Sequence, residues 1–116
     1  MRKFAYLRTP AVFDGDPVVK IMLYTDGEAV YLFEYGSATA MQCDRDRCYD
    51  SLAALHEDWD ALIDDRGWID LADPLPDCQY DAFLPIRVKG RDTGKPQWGS
   101  YELLQNGRWI DYTPEE

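Results

Sequence analysis

Two dipeptides set between β-rich runs constrain this chain more than any other feature. Asp26-Gly27 separates VVKIMLYT from EAVYLFEY, and Asn106-Gly107 separates YELLQ from RWIDY. A two-residue hairpin loop needs positive φ, which glycine takes freely and Asp or Asn tolerates. The sequence therefore predicts two tight hairpins, one over residues 18–35 and one over residues 101–112.

Between them lies one amphipathic segment. Leu52, Leu55, Trp59, Leu62 and Ile63 recur at helical spacing, while Glu57, Asp58, Asp60, Asp64 and Asp65 take the opposite side. Asp50 or Ser51 supplies an N-cap and Gly67 a left-handed stop, so a helix is expected from there to Gly67. Asp64 and Asp65 would then sit in its last turn, where the helix dipole disfavours negative charge.

The rest reads as short β-segments and turns. Phe4 to Arg8 is a strand ended by Thr9 and Pro10, followed by a turn at Asp14, Gly15, Asp16 and Pro17. Ala38 to Gln42 is expected to extend as a further strand before a charged turn at Asp44 to Arg47. Trp68 to Asp70 gives a short strand, LADPLPDCQYD an ordered loop, Leu84 to Lys89 another strand, and Thr113 to Glu116 a frayed tail. The order predicts an α+β fold: an antiparallel β-sheet built from hairpins with one amphipathic helix packed on one face, in two layers, as a single domain over 1–116. With 46% hydrophobic and 14% aromatic residues in 116, the core needs neither a disulfide nor a metal.

Compartment follows from what interrupts the apolar runs. Arg8, Pro10 and Asp14 break the N-terminal segment before a signal-peptide core forms, and the longest apolar run, Ala29 to Phe33, is far short of the about 20 residues a spanning helix needs. Three cysteines, an odd number, suit a reducing compartment, although Cys43 and Cys48 are placed to pair under oxidation. A cytoplasmic protein without membrane contact is expected.

Charge narrows the partners. The net charge of −10 argues against nucleic-acid binding. From Asp44 to Asp81 twelve acidic residues face three basic ones, whereas from Ala82 to Arg108 five basic residues face two acidic ones. The basic region contains VKGRDTGKPQWG, residues 88–99, which resembles a phosphate loop only superficially. It has three residues rather than four between its glycines, and Pro96 stands where a Ser or Thr should bind the metal ion. If residues 86–91 are extended, however, Arg87, Lys89 and Arg91 share one face as a cationic stripe. That stripe is either a solvated, aggregation-resistant edge or a docking strip for an acidic partner, with Trp98 as an anchor beside it.

Other chemistries fit less well. Cys43, Cys48, His56 and Cys78 are acceptable zinc ligands, but no close C-x-x-C pair joins them. His56 lies beside the apolar helix face and reads as a hydrogen-bonded structural histidine; a cysteine–histidine nucleophilic pair would need Cys48 or Cys78 within its reach. Asp44, Asp46 and Asp50 imitate a calcium loop that then lacks its third ligand, its glycine and its bidentate glutamate. None of the 22 acidic residues is marked by its neighbours as buried. No cofactor or catalytic set is expected. The residues favour a non-catalytic protein-interaction domain with a protein partner. One version is an immunity or antitoxin-type inhibitor of a basic protein using Glu57, Asp60 and Asp64. The rival is a small-ligand domain or minor enzyme with a pocket between helix and sheet. Self-association, acidic helix to basic strand, is the third.

Overall fold

The computed structural model describes residues 1–13 and 15–113; Asp14 of the expected turn and residues 114–116 of the expected frayed tail lie outside the described residues. The chain divides into two compact units, Met1–Asp73 and Pro74–Glu116, with the boundary in the proline-interrupted segment Asp73-Pro74-Leu75-Pro76. The α+β fold with antiparallel hairpin sheets is present. The sheet is not one but two, one in each unit.

In the first unit β1 (Arg2–Phe13), β2 (Asp16–Thr25), β3 (Val30–Tyr35) and β4 (Arg45–Tyr49) form an antiparallel meander, and β5 (Ile69–Leu71) adds on the far side of β1. Thr9 and Pro10 do not end β1, contrary to expectation. Its pairing with β2 shifts register between Tyr6 and Ala11, and Pro10 falls within this irregularity.

The β2–β3 hairpin forms, but Thr25 pairs with Val30, so its loop is Asp26 to Ala29 and not the two-residue turn expected. The Asp26 carboxylate accepts from the backbone N–H of Glu28 and of Ala29, both at 2.9 Å, so an Asx-type turn replaces the primed one. These bonds hold the Asp26 carboxyl below the usual carboxylate range.

The segment expected as a strand at Ala38 to Gln42 is a loop, and the expected charged turn at Asp44 to Arg47 is where β4 begins. Side chains explain the reversal. Lys20, 2% exposed, donates to the carbonyls of Ala38 and Ala40 at 3.0 and 2.8 Å, and the Asp44 carboxylate takes the Gly36 N–H at 2.7 Å. The loop's polar groups are thereby used without a ladder.

Helix α1 (Leu52–Trp59) starts as expected, with Ser51 accepting from Ala54 N–H at 3.1 Å. It stops eight residues before Gly67. A 3-10 turn over Asp60–Leu62 follows, and Ile63 becomes extended and bridges Leu7 of β1, with Asp64 N–H donating to the Tyr6 carbonyl at 2.8 Å. Asp64 and Asp65 thus escape the helix terminus that would have opposed their charge. Gly67, at φ +67°, closes the turn that begins at Asp64.

Leu55 and Trp59 of α1 are buried at 0% and 2% exposure against Ala5, Ile21, Leu23 and Leu32 on one face of the sheet. Burial of each such side chain is worth about 2 kcal/mol, and together they fill the space between helix and sheet. The opposite face is aromatic, with Tyr24, Tyr31 and Phe33 in a stacked row.

The second unit is a three-stranded antiparallel sheet, β6 (Ile86–Val88), β7 (Tyr101–Gln105) and β8 (Arg108–Tyr112). Gln105 pairs with Arg108 across Asn106 (φ +53°) and Gly107 (φ +77°), the tight primed turn that the sequence predicts. Among the described residues no helix is long and apolar enough to cross a membrane.

Candidate interaction surface

The basic stripe is shorter than expected, because β6 ends at Val88 and residues 91–93 form a 3-10 turn between Gly90 (φ +78°) and Gly94 (φ +75°). Its cations already have partners within the unit, carboxylates for Arg87 and Lys89 and an amide for Arg91. Arg87 reaches Glu102 at 2.6 Å and Asp92 at 3.5 Å and lies over the Trp109 ring, 3.6 Å from its centroid. Lys89 pairs with Asp111. Arg91 donates to the side-chain amide of Gln79 at 3.1 Å. Antiparallel pairing explains this: Glu102 stands opposite Arg87, and Asp111 stands opposite Glu102 on the next strand. Charges far apart in sequence become neighbours on one face.

The loop that follows is tied to itself. The N–H groups of Thr93 and Lys95 donate to the Gly90 carbonyl, and that of Gly94 donates to Arg91. Those three amides are spent internally and are not offered to a phosphate. Gln97 N–H donates to the Lys89 carbonyl at 2.8 Å and Lys89 N–H to the Ser100 carbonyl at 2.9 Å, which clamps both ends of the next turn.

That turn presents Trp98. Ser100 N–H donates back to Gln97 at 3.0 Å, and Gly99 takes φ +90°, the geometry of a type II turn with the tryptophan at its second position. Trp98 is 76% exposed, the largest exposure of any large hydrophobic among the described residues. Lys95, in the same loop, is exposed and has no ion pair among the described residues.

The acidic candidates are divided in the same way. Asp60 accepts from the Trp68 indole N–H and bonds His56 Nδ1, each at 2.8 Å, and His56 meets Trp68 edge to face. Desolvation works against its charge, but the bonds from Trp68 and His56 outweigh that and hold the carboxyl below the usual range. Asp64 is held low by Arg66, which donates from Nε and Nη2 to its Oδ2 and whose guanidinium also covers the Tyr6 ring. Glu57 alone of the three is exposed with no ion pair among the described residues.

Of the possible metal ligands, Cys48 is exposed on β4, Cys43 is half-buried, and both belong to the first unit with His56; Cys78 is buried in the second. Among the described residues none of the three cysteines is in a disulfide, and no group of three or more His, Cys, Asp or Glu side chains is arranged to hold a metal ion.

One acidic residue overturns the expectation that none is buried. Glu34 is 1% exposed; Arg47 Nε lies 2.5 Å from its Oε2 and Arg45 Nε 3.9 Å from its Oε1, which has no hydrogen-bond partner among the described residues. Arg47 also covers the Trp59 ring, 5.8 Å from its centroid. The signal was present in the alternation of VYLFEY, where Glu34 shares the face of Val30 and Leu32. An acid on an apolar face needs a cation, and β4 supplies two.

No protein-family model, curated protein or solved structure matches the chain.

Proposed function

We propose that this chain is a non-catalytic protein-interaction domain whose anchor is Trp98. The observation that carries the reading is an indole held in solvent by a turn clamped at both ends. Tryptophan is enriched among the residues that dominate interface energies, and a pre-ordered loop loses little entropy on binding. The neighbouring Lys95 favours a partner with an apolar pocket edged by carboxylates. The paired stripe of Arg87, Lys89 and Arg91 acts as scaffold under this reading. Comparing what immobilised wild type and Trp98→Ala retain from a native extract tests it. A protein bound at least about tenfold more weakly by Trp98→Ala, with partial rescue by Trp98→Phe, supports it. Identical retained sets overturn it.

A second reading rests on the first unit, where Glu28, Asp46, Asp50 and Glu57 are exposed without ion pairs among the described residues. Uncompensated acids of this kind suit a basic partner, as an inhibitor of a basic protein would need, with association accelerated by charge. A partner lost in high salt and with Glu57→Lys, but retained by Trp98→Ala, would favour this reading over the first.

A further inference from the structure

The outer edge of β8 carries unused backbone groups in a definite pattern. Leu104 N–H donates to the Pro85 carbonyl and the Ser100 carbonyl accepts from Lys89 N–H, so the even-numbered residues of this part of the chain direct their backbone toward β6. Tyr101, Leu103 and Gln105 therefore face β8, where their partners are Tyr112, Ile110 and Arg108. The N–H and C=O groups of Trp109 and Asp111 are left on the outer side, with no partner among the described residues.

The other edges differ. β5 and β6 are three residues long, and the outer side of β6 is occupied where Gln79 N–H donates to the Ile86 carbonyl. β4 is guarded by Arg45, Asp46 and Arg47. β8 instead exposes Ile110 at 42%.

We propose that β8 pairs antiparallel with β8 of a second copy of this chain, about a twofold axis at Ile110, joining the two three-stranded sheets into one. Residues opposite each other in such a pair share a face, which leaves three registers that use the open groups. Asp111 against Asp111 opposes like charges. Trp109 against Trp109 overlaps only three residues of the strand. Trp109 against Asp111 overlaps the whole of Arg108–Tyr112, sets Ile110 on its own copy and places Arg108 opposite Tyr112. It also brings each Asp111 toward the Arg87 guanidinium that lies over the facing Trp109, so the charges are complementary. A five-residue strand pair buries less than the about 1,000 Å² of a stable interface, so the dimer is weak and reversible.

Ile110 occupies the non-hydrogen-bonded position of this pair, where Cα atoms lie about 4.5 Å apart, inside the range that a disulfide bridges. The test is mild oxidation of the full-length chain carrying Cys48→Ser together with either Ile110→Cys or Asp111→Cys. The proposal expects Ile110→Cys to give a covalent dimer at least about tenfold faster than Asp111→Cys, whose copies are offset by two residues. No dimer from Ile110→Cys, or equal rates for the two, overturns it. Sedimentation equilibrium without oxidation gives a second measurement. Asp111→Pro removes an outward N–H that no bond among the described residues uses, and is expected to weaken a concentration-dependent wild-type dimer at least about tenfold. An unchanged dimer, or a wild type that stays monomeric at millimolar concentration, overturns it.

Discussion

Each sheet sets a carboxylate against arginine, and the two settings differ in burial. Glu34 in the first unit is 1% exposed between Arg45 and Arg47, whereas Glu102 in the second is 16% exposed beside Arg87. The first pairing lies on the face of the sheet that holds the apolar core, and the second on a ladder that continues to Lys89 and Asp111. A deeply buried charge must be neutralised for the fold to exist, while a peripheral pair is worth much less. The comparison teaches that charge balance along a sequence does not measure the charge offered to a partner. In both units most of the conspicuous charges are spent within the unit, and Trp98 is what the fold leaves presented.

The largest effect that would break this contrast is at Glu34. Glu34→Ala leaves two arginines facing the core and is expected to cost about 3 kcal/mol in urea unfolding. A loss near that of a surface pair would mean that the site is not a buried charge cluster. Next is Gly90, at φ +78° with the Lys95 carbonyl oxygen within clashing distance of an added Cβ. Gly90→Ala is expected to cost about 2 kcal/mol, and Gly94→Ala, at φ +75° in open space, only about 1 kcal/mol. Equal losses would show that the loop is not held closed at Gly90. Glu102→Ala, with the ladder still able to use Asp92, is expected to cost about 1 kcal/mol or less.

A separate effect is in pH. Burial lowers the Lys20 pKa from its ordinary 10.5 to about 8. Between those values the unfolded chain binds more protons than the folded one, so this lysine makes stability rise as pH climbs from about 8 to 10.5. Lys20→Met should remove that rise. Parallel pH profiles for the two chains would contradict the burial of its charge.

The parts of this fold set by local chemistry were legible in the sequence. Ser51 as a cap, the helical spacing of Leu52, Leu55 and Trp59, and the Asn106-Gly107 turn all act within a few residues of themselves. What was not legible depends on residues far apart. The helix stops early because Ile63 is taken by Leu7, and the 36–44 loop replaces a strand because Lys20 and Asp44 satisfy its backbone. The cationic stripe was visible, but its neutralisation was not, because Glu102 and Asp111 become neighbours of Arg87 and Lys89 only through strand pairing. The exposure of Trp98 was undecidable for a similar reason: Gly99 marks a turn, and only the clamp from Lys89 fixes its direction.

Trp98 standing in solvent on an ordered turn is what the proposed function rests on. The most direct measurement is the fluorescence difference between wild type and Trp98→Phe, which isolates this indole from Trp59, Trp68 and Trp109, read with acrylamide as quencher. A red-shifted emission quenched nearly as fast as free indole is expected. A blue-shifted difference spectrum that acrylamide barely reaches would contradict it.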